Sequence, residues 1–479
     1  SRHNSISTQE ENLMLKQIGV KSVGELIKLT IPDSIRLEND LNLEKPKTEN
    51  EFLSHFKTLA LKNKKYKSYI GMGYYDCFTP NVIKRNILEN PGWYTAYTPY
   101  QAEIAQGRME ALINYQTMVT DLTGMEISNA SLLDEGTAAS EAMTMFFRVR
   151  KGLKKKAFKF FVSNKIFPQT IELLKTRSEP LGIELVIDEL DKFNCGDDYF
   201  GALFQYPDND GNIVDLSSYL EKARSKSIFT CVASDLMSLV LLKSPGEMGA
   251  DAVVGNSQRF GVPMGYGGPH AAFYATKEEF KRHIPGRIIG VSVDSAGNNA
   301  YRMALQTREQ HIKRDRATSN ICTAQVLLSV MAGMYAVYHG KDGLKKIATK
   351  IASLTHLLGN GISSLDFNQE NKNFFDTLKI KVTSEEKDKI KKVAEKNHLN
   401  FRYFETNHIG MSLDETTQVS DVLDILSIFS EVSGKSLEIN LDNIDDLKHN
   451  ISANQIRSSE FLSHEVFNKY HTEHEILRY

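Results

Sequence analysis

Between residues 159 and 274 the sequence alternates short apolar runs with helix-like stretches, and this alternation narrows the fold more than any other feature. Lys159-Phe160-Phe161-Val162-Ser163 reads as a strand, followed by a helix around 170–176. Glu184-Leu185-Val186-Ile187 and Ala202-Leu203-Phe204-Gln205-Tyr206 read as strands, and a helix over 216–225 leads into Ile228-Phe229-Thr230-Cys231-Val232. Ala252-Val253-Val254 and Ala271-Ala272-Phe273-Tyr274 complete the series. Strands alternating with crossover helices predict a parallel-rich α/β sheet. Ligands of such sheets sit outside the carboxyl ends of the strands.

The flanks differ. Residues 1–60 carry apolar positions at helical spacing, with Gly19 as a helix stop, Ser22 and Glu25 at capping-box spacing, and Pro32 beyond the second helix. They predict a helical arm that packs on a body or a partner. After the α/β region (61–345), a helix at 344–358 precedes strand candidates at 377–382 and 400–404, with helices between and after them. That pattern predicts a small α+β domain over 346–450, followed by a short segment, 451–479. About three domains suit 479 residues.

Composition excludes several classes. Lys+Arg 58 against Asp+Glu 60 gives no global attraction to nucleic acid or to a membrane surface. No apolar run reaches the roughly 18 residues of a membrane span. Cys77, Cys195, Cys231 and Cys322 are scattered without metal-ligand spacing, which predicts no metal site and a reducing compartment. The chain opens with Ser1 rather than Met, so a trimmed amino terminus is expected. Its Lys/Asn-rich composition leans towards a bacterial cytoplasm, with the mitochondrial matrix as the eukaryotic counterpart.

The chemistry concentrates in residues 249–270, GADAVVGNSQRFGVPMGYGGPH. A strand ends, a few polar residues follow, and a glycine-rich loop opens. In pyridoxal-phosphate enzymes of the aspartate-aminotransferase fold the Schiff-base lysine stands here, because only an amine can make that bond. The candidate positions hold Gln258 and Arg259, and neither can. Lys243 precedes the strand rather than following it and is a poor substitute.

This run, with 285–292 (PGRIIGVS), 300–312 (AYRMALQTREQHI), 317–325 (ATSNICTAQ), 97–107 (YTPYQAEIAQG) and 131–139 (SLLDEGTAA), resembles the first half of glycine decarboxylase, the P-protein of the glycine cleavage system. The resemblance covers essentially the whole chain in order. It implies a fold-type I, aspartate-aminotransferase-like large α/β domain, a small α+β domain and the helical arm. It also implies an enzyme of two homologous halves, whose carboxyl-terminal half carries the lysine that binds pyridoxal phosphate. Alignment through the glycine-rich loop puts Gln258 opposite that lysine, while alignment on Asn256 puts Arg259 there. Residues 461–479 resemble the opening of the second half, so a longer chain is expected. The partners implied are that other half, lipoylated H-protein and glycine, in a dimer of fused chains.

Each candidate residue also has a plainer reading. Tyr97, Tyr100 and Glu103 could line the glycine pocket and handle protons, or pack as an aromatic loop at an interface. Thr318, Ser319 and Asn320 could reach the phosphate of a cofactor held by the other half, or cap a helix. His311 reads as structural. Gly136 and Thr137, in a small-residue turn expected to open a helix over 140–148, could cup a phosphate on free N–H groups. Without the lysine, a helix cap is the better reading and the cup is vestigial. Asp235, after its strand, would hold the pyridine nitrogen in an active relative; here it is a relic or a cap. The rival to a catalytic half is a purely structural one that contributes no active-site residue.

Overall fold

The computed structural model describes residues 6–37, 39, 41–95, 98–268, 270–308, 310–317, 325–437 and 449–479. Residues 1–65 and 66–479 form two compact units. The first holds three helices, α1 (Thr8–Ile18), α2 (Val23–Thr30) and α3 (Glu49–Ala60). Ser7 and Glu10 close a reciprocal capping box on α1, and Gly19 ends it at φ 85°. The box expected at Ser22 is half made. Ser22 accepts the Glu25 N–H at 3.1 Å, but the Glu25 carboxylate takes the N–H of Lys21 instead. Only Leu15 is buried among the described residues of these helices.

The second unit is built on seven strands: β1 (Ile127–Ser128), β2 (Lys159–Ser163), β3 (Glu184–Asp188), β4 (Tyr199–Tyr206), β5 (Phe229–Ser234), β6 (Ala252–Asn256) and β7 (Ala272–Thr276). Their order is β1-β7-β6-β5-β4-β2-β3. The pairs from β3 to β6 are parallel, and β7 runs antiparallel to both its neighbours. Every residue of β4 is buried, as befits a central strand covered on both faces. Side chains alternate with period two. Phe160, Val162, Leu203, Cys231 and Val254 pack with helix α5 (Glu135–Val149) on one face, while Phe161, Phe204, Val232 and Val253 pack with helix α4 (Gln106–Thr123) on the other.

Helix α5 starts five residues before its expected position. The stretch read as a turn is its first turn, because the Asp134 carboxylate caps it by accepting the Thr137 N–H at 2.7 Å. A hairpin of β8 (Ile288–Val293) and β9 (Asn299–Ala304) leads to the long helix α8 (Val326–Ser364), which packs on α4. (Helices α6, Pro168–Ser178, and α7, Ser217–Ser225, cross between strands.) Helix α8 breaks at Gly340, where a Cβ would lie 2.8 Å from the Phe467 carbonyl.

A four-stranded antiparallel sheet follows, β10 (Asn368–Gln369), β11 (Thr377–Lys381), β12 (Arg402–Tyr403) and β13 (His408–Ser412), in the order β10-β11-β13-β12. It shares a core with α9 (Ser384–Lys396), α10 (Val419–Ser433) and the end of α8. The strand expected at 400–404 is split: Leu399–Asn400 pairs with Lys67–Ser68, and Arg402–Tyr403 pairs with β13. Finally, residues 449–479 return to the large sheet's core through Phe461, Leu462, Phe467 and Ile476.

Candidate functional site

The carboxyl ends of β4, β5 and β6 bring Gln205, Asp235, Asn256 and Arg259 to one cleft. Gln258 is 1% exposed and fully engaged. Its Oε1 accepts the Tyr75 N–H at 3.0 Å, and its Nε2 donates to the carbonyls of Tyr75 and Val262, both at 2.7 Å. Its own N–H is taken by Asn256 Oδ1. Ser257 faces the opposite way, donating to the Ala271 carbonyl at 2.8 Å and meeting the Tyr115 hydroxyl of α4 at 3.2 Å.

Arg259 reaches across the cleft. One guanidinium nitrogen lies 2.7 Å from Asp235 Oδ2 and 2.5 Å from Asp376 Oδ2, and the other donates to the Leu413 carbonyl at 3.2 Å. The guanidinium lies over the Tyr75 ring, 3.8 Å from its centre, with Phe375 at 5.5 Å. Burial opposes the charge, but the carboxylates of Asp235 and Asp376 outweigh it and push the Arg259 pKa up. Burial pushes the Asp376 carboxyl up, helped by repulsion from Asp235 and opposed by Arg259. Asp235 is therefore the partner of an arginine, and its other oxygen accepts the Met237 N–H as a turn cap.

At the start of α5, Glu135 is buried beside the cleft. Burial pushes its carboxyl up to about 8, against the pull of the Gln205 and Asn256 amides. Asn256 Nδ2 donates to its Oε2 at 3.3 Å. Cys77 donates its thiol to the Val262 carbonyl at 3.2 Å, and burial pushes its pKa up, so it stays a neutral thiol near neutral pH.

These residues do not fit pyridoxal phosphate. The cavity left between Asp235, Arg259, Glu135 and Arg402 measures about 30 Å³, room for one or two waters. Ligand pockets run to about 300 Å³ or more. Lys165 and Lys379, beside the 207–210 loop, are both committed to the Asp210 carboxylate at 2.8 and 2.9 Å. At the helix start the Thr137 N–H is already capped, a Cβ on Gly136 would meet Leu173 at 3.1 Å, and the cap and first turn carry the acidic Asp134 and Glu135.

Of the other residues singled out in sequence, Tyr100 and Glu103 lie apart from this cleft. The Tyr100 hydroxyl accepts a hydrogen bond from Arg287 at 3.1 Å, and Glu103 is exposed on the turn Ala102–Ile104. Tyr97, Thr318, Ser319, Asn320 and Cys322 lie outside the described residues, as does the His311 side chain. Sequence reasoning missed Tyr75, Asp376 and Leu413, the partners of Gln258 and Arg259, since no local pattern marks them.

A family model described as glycine cleavage system P-protein matches residues 1–429. A glycine dehydrogenase (decarboxylating) from Christiangramia forsetii is 54% identical over 480 residues, which cover 99% of this chain and 50% of that protein. Its counterpart from Nostoc sp. is 52% identical over 481 residues, 100% of this chain and 49% of that protein. The chain spans about half the length of the curated relatives it matches. A solved glycine decarboxylase (P-protein) of the glycine cleavage system, in inhibitor-bound form, superposes with a TM-score of 0.83 at 29% identity, over 90% of this chain and 99% of that one. An aspartate aminotransferase from Thermus thermophilus superposes at 0.52 and 14% identity, over 77% and 99%, which places the fold in the fold-type I class.

Proposed function

Because the chain belongs to the glycine cleavage system P-protein family, we propose that it is the amino-terminal, lysine-lacking half of a glycine decarboxylase. The observation that carries this reading is the pair Gln258 and Arg259, both buried and bonded where a cofactor lysine would be needed. Pyridoxal phosphate is then held by a lysine of the other half, where it supplies an electron sink for the loss of carbon dioxide from glycine. The aminomethyl group passes to the lipoyl arm of H-protein. The assembly is a dimer of fused chains in a bacterial cytoplasm, or in the mitochondrial matrix of a eukaryote.

This half lends the opposite wall of that site. Tyr97, Tyr100 and Glu103 orient glycine and hold or move its protons, and Thr318, Ser319 and Asn320 donate hydrogen bonds to the cofactor phosphate. The exposure of Glu103 supports this, since a carboxylate free of its own fold can serve a neighbour's. So does the way Arg287 fixes the Tyr100 hydroxyl.

The test joins the chain to the cofactor-bearing half and follows exchange of the glycine carboxyl with labelled bicarbonate, with lipoylated H-protein present. Glu103→Gln is expected to lower the rate by on the order of 100-fold, the usual scale of a lost proton-transfer group. Thr318→Ala is expected to weaken cofactor retention. Full activity in both variants and in Tyr100→Phe would identify a structural half with no residue in the active site.

A further inference from the structure

Three features of Arg259 match what a protonated cofactor ring would need, given the role the resemblance implies for Asp235. Its planar group is a cation, it pairs with Asp235 directly after β5, and it lies over an aromatic ring, Tyr75. A protonated pyridine ring makes the same demands: a carboxylate on its N–H and a flat apolar surface beneath. The guanidinium also does something a small ligand would not. Through Asp376 and the Leu413 carbonyl it ties residues beside β11 and β13 of the smaller sheet to Asp235 on the larger one. Three of its partners are thus supplied by segments far apart in the chain, and Arg259 itself is 4% exposed.

We propose that Arg259 is a tethered occupant of the lost ring site: a planar cation, built into the chain, that fills a pocket whose walls still suit a cation of the pyridinium or guanidinium class. The site is a binding site with its ligand covalently supplied. Gln258 completes the arrangement by fixing Tyr75, the ring over which that cation lies. This inference rests on the geometry of residues 75, 235, 259, 376 and 413 and on the role the resemblance implies for Asp235, and holds whether or not the half lends residues to a neighbouring active site.

The experiment removes the tethered group and offers it back free. The thermal midpoint of the 479-residue chain is measured for the unmodified protein and for Arg259→Ala, with millimolar methylguanidinium chloride and, as control, tetramethylammonium chloride at the same concentration. Expected is a lowered midpoint in Arg259→Ala that methylguanidinium restores for the most part, while tetramethylammonium, a cation without N–H donors or a flat face, does not. The unmodified chain should respond to neither. If Arg259→Ala stays unfolded, refolding only in methylguanidinium supports the proposal, and otherwise Arg259→Gln is read by the same contrast. Equal responses to the two salts, or none in a folded variant, would overturn it.

Discussion

The side-chain amide of Gln258 pairs with the backbone amide of Tyr75 through two hydrogen bonds, at 3.0 and 2.7 Å, although 183 residues separate them. The pairing imitates a strand contact and is sealed from water. Replacing Gln258 by Ala would orphan the Tyr75 N–H and carbonyl, each a buried group costing about 1–3 kcal/mol when unpaired, and leave the Val262 carbonyl with the Cys77 thiol. The Gln258→Ala chain should therefore lose about 2–4 kcal/mol. In urea unfolding the midpoint should fall with the slope unchanged.

The closed cleft makes a chemical prediction. Pyridoxal phosphate added to the chain and reduced with borohydride should leave no stoichiometric adduct on any single lysine, because Lys165 and Lys379 are held by Asp210 and the cavity has no room. Peptide mapping reads the result directly. One fully modified lysine would make this half a cofactor-binding enzyme in its own right.

Glu135 predicts a pH trend. Its carboxyl sits at about 8 in the fold against an ordinary 4.5, so between those values the folded chain keeps a proton that the unfolded chain has released. Its contribution to stability is full below about 4.5 and is lost as pH rises through 8, on the order of a few kcal/mol. Glu135→Gln, neutral throughout, should melt above the unmodified chain at about pH 9 and lose that advantage towards about pH 5. Thermal midpoints across the range decide it, and parallel curves would refute the assignment.

Arg457 predicts a local release. Its guanidinium donates to the carbonyls of Asp121, Leu122 and Leu239 at 2.5, 2.8 and 2.9 Å, and lies over Phe461 at 5.0 Å. Arg457→Ala should cost about 2–4 kcal/mol by leaving those carbonyls unpaired. It should also loosen residues 451–479 from the core, and limited proteolysis should then cut there first.

The strands of the large sheet were legible because buried parallel strands are short apolar runs bounded by polar residues, and all six expected runs between 159 and 274 are strands. The antiparallel sense of β7 was not, since a strand carries no mark of direction in its own residues. The start of α5 was misread because Gly136, Ala138 and Ala139 look like a turn; in the fold their small size lets the helix pack against buried strands, with both alanines 0% exposed. At the site, it is visible in sequence that neither 258 nor 259 is a lysine, but the partners those side chains take are not. Arg259 meets Asp376 and Leu413 across 117 and 154 positions, and only tertiary folding brings those groups together.

That Gln258 and Arg259 are neighbours, each locked by separate bonds, bears on how such a half could change. A single exchange of Gln258 for lysine would break the Tyr75 pairing and leave the ring space still filled by arginine. A single loss of Arg259 would leave Asp235 and Asp376 facing each other without a cation, and still provide no amine. Each first step lowers stability and returns no chemistry, so a chain with a modest stability margin is held from going back. On the reading proposed above, losing the cofactor would act as a ratchet: the bonds that Gln258 and Arg259 now make would guard against its return.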